Sequence, residues 1–262
     1  MSKYKIFYGG ALSILKPEHE IFLDNIGIDK SNSLSSSNRS LIYYNDNIIV
    51  KIFFPSTNID DELSAINYIN AEDIVVNEVL AYNHKLNLII YPKYNEIPDI
   101  FNLNLIEFID FILSILRILD LIHHQNIIHQ DVSIHNIKLK KDRKYILIDT
   151  EGLVKSLDIE KKLYDVKMFI DESIKVQFTK KIIKLKEDGL IDTDPKIIIL
   201  NSHIMILEII IKIINQESIK VKNEEITLFD FYEIILKLLY DFKEQYQVSS
   251  SYQPIFDKYI IE

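Results

Sequence analysis

The sequence predicts an α+β fold in two parts: a β-rich N-terminal part with one helix (residues 1–92) and a helical C-terminal part (residues 93–262). Three observations carry this. Short runs of Ile, Leu, Val, Tyr and Phe, joined by Asn- and Asp-containing turns, occupy residues 41–91, the mark of hairpins. Pro92 closes the last of them. From Asn104 onward apolar residues recur at helical spacing. With 262 residues, 48% apolar and 26% charged, the chain has the makings of a packed core rather than disorder.

Taken in order, residues 20–28 read as a first strand and residues 29–40 as a polar, Ser-rich segment. Leu41–Tyr44 and Ile48–Phe54 flank the turn Asn45-Asp46-Asn47 and read as a hairpin. Asp60–Ile69 reads as a short helix, with Leu63, Ile66 and Ile69 on one face and acids in its first turn. Ile74–Tyr82 and Leu86–Tyr91 form a second strand pair around Asn83-His84-Lys85.

Beyond Pro92, Glu107, Asp110, Ser114, Arg117 and Asp120 draw one polar stripe along an otherwise apolar helix, Asn104–His124, which should be largely buried. Leu157–Ile174, Lys196–Asn215 and Thr227–Tyr246 are the remaining long helices, with loops at Lys186–Asp194 and Gln247–Ser251. The Lys196–Asn215 stretch is the most apolar. His203, Glu208 and Lys212 interrupt it, so it reads as a buried helix rather than a membrane span.

Composition narrows the function. A net charge of -9 disfavours broad nucleic-acid binding. The absence of Cys removes disulfides, thiolate metal sites and a Cys nucleophile. No signal peptide is visible at the N-terminus, and together these traits lead to the expectation of an intracellular, cytoplasmic protein.

The most informative stretch is Ile128-His129-Gln130-Asp131-Val132-Ser133-Ile134-His135-Asn136, followed by Tyr145-Ile146-Leu147-Ile148-Asp149. An Asp, an Asn five residues on and a second Asp thirteen beyond that lie between strand-like runs. Singly, each residue reads as a turn cap or strand end. Together they resemble the catalytic loop (H-x-D-x-x-x-x-N) and metal-binding segment of the protein-kinase-like superfamily.

The resemblance implies a bilobal protein-kinase-like fold and phosphoryl transfer from ATP with Mg²⁺ to a hydroxyl of a protein or a small molecule. Asp131 would be the catalytic base, with Asn136 and Asp149 as the metal ligands. A hairpin, Ile137–Leu139 against Tyr145–Ile148, would return Asp149 beside Asn136. Lys51, in Ile49-Val50-Lys51-Ile52, is similar to the family's lysine for the α- and β-phosphates. Its partner would be Glu62, at a shorter interval than is usual in the family, with Glu78 as the alternative. Pro92 and Tyr94 fall where the hinge against adenine belongs. Asp165 is similar to the family's buried Asp that bonds the catalytic loop; an exposed helix Asp is the other reading.

Three departures point to the atypical branch, similar to RIO-like and related protein kinases or to choline-kinase-like and aminoglycoside-phosphotransferase-like enzymes. No glycine-rich loop precedes Lys51. Its place is held by a serine segment including Ser35, Ser36 and Ser37, which would either cradle phosphates or be a polar loop. The metal segment reads Asp149-Thr150-Glu151-Gly152, where Glu151 either assists the metal or faces solvent. The span from Asp149 to Asp165 leaves no room for a full activation segment. The short run from Tyr94 to His129 favours a serine/threonine protein kinase over a small-molecule kinase. A pseudokinase binding module is the third reading. His123, His124, His129 and His135 match no familiar zinc spacing.

Overall fold

The computed structural model describes residues 15–34, 40–57, 59–68, 77–150 and 153–259. Helix accounts for about 57% and strand for about 14%, so the fold is mixed α+β with a small antiparallel sheet. The chain divides into two compact units, the first ending at Asn95 and the second beginning in earnest at Glu96.

The first unit is built on a five-stranded antiparallel sheet, order β1-β2-β3-β5-β4. Its strands are β1 (Ser33–Leu34), β2 (Ser40–Tyr44), β3 (Ile48–Phe53), β4 (Ala81–Asn83) and β5 (Leu88–Pro92). The β2–β3 turn is closed by Asn45, whose Oδ1 accepts from Asn47 N and Ile48 N, the local bond that makes Asn a turn former. Because side chains alternate along a strand, β3 serves both faces. Val50 and Ile52 join Leu23, Ile28 and Leu41 on one. Phe53 joins Ile59, Ile89 and Tyr91 on the other.

Each face is covered by a helix, and this corrects two expectations. Residues 20–28 are not a strand: Pro17–Asn25 form helix α1. Among the described residues the unit therefore has two helices, α1 and α2 (Ile59–Tyr68), rather than one. Pro17 stands in the first turn, where its missing N–H costs nothing. Gly27 ends α1 at φ 70°, with Ile28 N bonded back to Leu23 O, the 6→1 bond of a glycine-terminated helix. Leu23 and Ile28, both buried, seal the sheet face that a strand there would have left open.

The second unit is organised around α3 (Leu105–His124), whose Phe108, Ile112, Leu116 and Ile122 are fully buried. Asn104 and Glu107 exchange reciprocal capping bonds at its start. The polar stripe of α3 meets α7 (Leu228–Ser249): Lys243 bonds Asp110 at 2.7 Å and Arg117 donates to the Tyr240 hydroxyl. Between these helices lie β6 (Ile127–Ile128), the hairpin β7 (Ile137–Leu139)–β8 (Tyr145–Leu147), and β9 (Val154–Lys155), which pairs back on β6.

Then come α4 (Ile159–Lys167), a π-helical stretch (Met168–Lys175), α5 (Val176–Glu187), α6 (Pro195–Lys222) and, after α7, α8 (Gln253–Tyr259). Helix α6 has the length and apolarity to cross a bilayer, yet Ile197, Leu200, His203, Ile206 and Ile210 are buried within the unit, as in a core helix. Helix α7 runs through to Ser249, where a loop was expected from Gln247.

Candidate functional site

The site residues divide between the two units. In the first, Lys51 sits on β3 opposite Ile42 of β2 and Ile89 of β5, inside the sheet rather than at its edge. It is 7% exposed and Glu62 is 4% exposed. The Lys51 ammonium donates to both carboxylate oxygens of Glu62, at 3.2 and 3.4 Å, and lies 5.1 Å from the Phe53 ring centre. The Tyr91 hydroxyl also donates to Glu62. Glu62, and not the exposed Glu78, is thus the partner of Lys51. A charge pair withdrawn this far from water persists only when its hydrogen bonds are met, and three donated bonds meet them here.

Pro92 ends β5 opposite Ile48. The Tyr94 hydroxyl accepts from Glu78 N, and burial pushes its pKa up to about 12. Ser35, Ser36 and Ser37, together with Glu151, lie outside the described residues.

In the second unit the loop after β6 is held from beneath. Asp165 of α4, 1% exposed, accepts from His129 N at 2.7 Å and Gln130 N at 2.9 Å. Gln130 takes the left-handed conformation, φ 67°. That bends both amides inward and leaves the next residue, Asp131, at the surface.

Asp165 is itself oriented by His123 Nε2 at 3.2 Å, and His123 Nδ1 meets the Tyr232 hydroxyl at 2.6 Å. Burial holds the His123 pKa down against the pull of Asp165. A neutral ring donating from Nε2 and accepting at Nδ1 satisfies every member of this buried chain. From the other side, Ser173 in the π-helical stretch accepts from Ile134 N at 2.8 Å. A wide helical turn of this kind re-aims side chains and recurs at functional sites.

Two sequence-predicted residues, Asp131 and Asn136, are bonded to each other on this frame. The Asn136 amide nitrogen donates to Asp131 O at 3.0 Å and Asp131 Oδ2 at 2.9 Å. Those two oxygens fix which end of the amide is nitrogen and leave Oδ1 as its acceptor end.

Pairing of Ile137 with Leu147 returns the chain, and Ile148 N donates to Asn136 O at 2.7 Å. His129, kept neutral by burial, contacts Ile148 O through Nε2 at 3.2 Å. The residue before Asp149 is thus pinned at both its N–H and its C=O, and Asp149 follows in the left-handed conformation, φ 61°, exposed. A carboxylate and an amide oxygen are both hard donors, the type that suits Mg²⁺ with water completing its shell. His123 is spent on internal bonds and His129 bonds Ile148 O through Nε2. Among the described residues the His129 Nδ1 is buried without a partner, and no cluster of three or more His, Asp or Glu forms a metal cage.

Asp165 resolves one expectation left open in the sequence: it is buried and bonds the loop. His123, Tyr232 and Ser173 were missed. Tyr232 lies 109 residues from its partner, and no local pattern announces a contact over that distance. No protein-family model matches the chain, and no curated protein matches it either.

Proposed function

We propose that the chain is an Mg²⁺-dependent ATP phosphotransferase of the atypical protein-kinase type. In this reading its fold is protein-kinase-like, with the first unit as small lobe and the second as large lobe, and the acceptor is a Ser or Thr hydroxyl. What supports it is the Asp131–Asn136 pair together with the bonds that fix Ile148, the residue before Asp149, on a frame held by Asp165 and His129.

Phosphoryl transfer asks for positioning and charge neutralisation more than for covalent chemistry. One oxygen of Asp131 is anchored by Asn136, and the exposed carboxylate presents the other to the acceptor. It takes the hydroxyl proton as the new O–P bond forms and the bond to the leaving ADP oxygen breaks. Asn136 Oδ1 and Asp149 would hold Mg²⁺, which supplies positive charge to the phosphate oxygens. Lys51, steered by Glu62, serves the α- and β-phosphates.

Turnover of ATP by purified protein tests this. Asp149→Ala abolishes it while the fold, by circular dichroism, is kept; undiminished turnover in that variant would reject the metal role. Labelling with γ-phosphate-labelled ATP sorts the acceptor, since label on protein supports a protein kinase and label confined to small alcohols supports a small-molecule kinase. A melting temperature indifferent to millimolar MgATP, with no turnover, would leave a binding module without nucleotide.

A further inference from the structure

At the opposite end of α3 from the loop, about 30 Å away along the helix axis, the second unit contains a cavity of about 430 Å³. That volume lies within the range of small-molecule sites. Phe101, Leu185, Leu200 and Tyr252 form apolar and aromatic wall, and Lys181 and Lys196 also line it. Lys181 lies 5.3 Å from the Phe101 ring centre.

Lys175 pairs with Glu208 and Lys186 with Asp192. Lys181 and Lys196 have no carboxylate partner among the described residues. The one carboxylate of the wall, Asp99, is engaged in its own turn, accepting from Phe101 N and Asn102 Nδ2. Helix α6 begins at Pro195 beside Lys196, and its first turn is capped by Asp194, whose Oδ1 accepts from Lys196 N at 2.9 Å.

Behind Tyr252 stands His203, fully buried, its ring 6.4 Å from that of Tyr252 and neither nitrogen hydrogen-bonded. An unmet polar group in a core asks for a reason beyond packing, and this one is a single ring away from the cavity.

We propose that the cavity binds a small organic monoanion with an apolar or aromatic body. The body lies against Phe101, Leu185, Leu200 and Tyr252, and the anionic head takes Lys181 and Lys196. The inference is independent of the phosphotransfer reading.

Calorimetric titration with octanoate and phenylacetate, with octanol and octylammonium as controls, tests it on the full chain. Saturable one-site binding is expected for the preferred anion, at least about tenfold tighter than for octanol. Comparing the two acids decides between an aliphatic and an aromatic body. The Lys181→Ala/Lys196→Ala double variant, altered only at exposed or half-exposed positions, weakens anion binding about tenfold and leaves octanol unchanged. Leu185→Trp, at a half-buried wall position, blocks both. Equal affinity for octanol and octanoate, no saturation by about 10 mM, or unchanged anion binding in the double variant would each overturn the proposal.

Discussion

Lys51 and Asp131 are both charged groups singled out by motif, yet the two units hold them in opposite ways. Lys51 is buried in a sheet and tied to a buried carboxylate, so its position and the stability of the first unit are one matter. Asp131 is exposed on a loop, and the buried work of shaping that loop falls to other residues, Asp165, His123 and Tyr232. A sheet offers regular register, so a charge placed on it is positioned by the strand and must be paid for by a partner. A loop has no ladder of its own, so a separate polar scaffold grips its backbone and the exposed side chain is left unburdened. Substitutions that separate folding from chemistry put this contrast at risk.

The largest effect is expected at Glu62. Glu62→Leu removes a buried carboxylate bonded to a buried ammonium and should destabilise the first unit by about 3–5 kcal/mol, read by denaturant unfolding. Adding Lys51→Met should restore much of the loss, because no buried charge then remains. A double variant no more stable than Glu62→Leu alone would show that the pair is not what makes Lys51 costly to strip of its partner.

In the second unit a buried titratable group also lies outside the loop. His203 packs among Phe108, Phe178 and Tyr252, and burial lowers its pKa from 6.5 to about 4. A depressed folded-state value means that the unfolded chain takes up the proton first. The stabilisation is therefore present above pH 6.5 and is lost as pH falls through about 4, a change of ~3 kcal/mol at most. His203→Phe should flatten that part of the pH–stability curve and, by deleting an unsatisfied polar ring, raise stability at neutral pH by about 1 kcal/mol. A curve of the same steepness in the variant would assign the acid sensitivity to other groups.

What was legible in the sequence was what is local. The Asn45–Asn47 turn, the β7–β8 hairpin and the eleven-residue step from Lys51 to Glu62 all rest on short-range chemistry. Helix α1 was also locally signalled, by Pro17 at its start and Gly27 at its end, but its nine residues carry little amphipathic pattern and read as a strand. The scaffold of the loop was not legible. Ser173 reaches Ile134 only because the helix widens to a π-turn, and Tyr232 reaches His123 only because α7 packs on α3. Neither cause leaves a period in the chain.

Asp165→Asn probes that scaffold directly. The amide keeps one acceptor oxygen where the carboxylate gave two, so either His129 N or Gln130 N loses its partner, and an NH₂ group faces a donor. An orphaned buried N–H costs about 1–3 kcal/mol, so a loss of ~2 kcal/mol is expected in the second unit, with the first unchanged. Hydrogen exchange at His129 and Gln130 should accelerate more than at the β7–β8 ladder. Uniform acceleration across the unit would mean that Asp165 supports the core at large and not the loop.

The smallest effect on folding is predicted for the residue on which the proposed chemistry most depends. Asp131 is exposed, and its carboxylate accepts from Asn136, which also donates to the Asp131 carbonyl and so keeps one acceptor when the carboxylate is gone. Asp131→Ala should therefore shift unfolding by no more than about 0.5 kcal/mol, while ATP turnover, if Asp131 is the base, falls by about two to four orders of magnitude. The two readouts together discriminate. A large loss of stability would mean that the loop depends on Asp131 for its shape, and the division of labour between exposed carboxylate and buried scaffold would not hold. Intact stability with intact turnover would keep the scaffold and remove Asp131 from the chemistry.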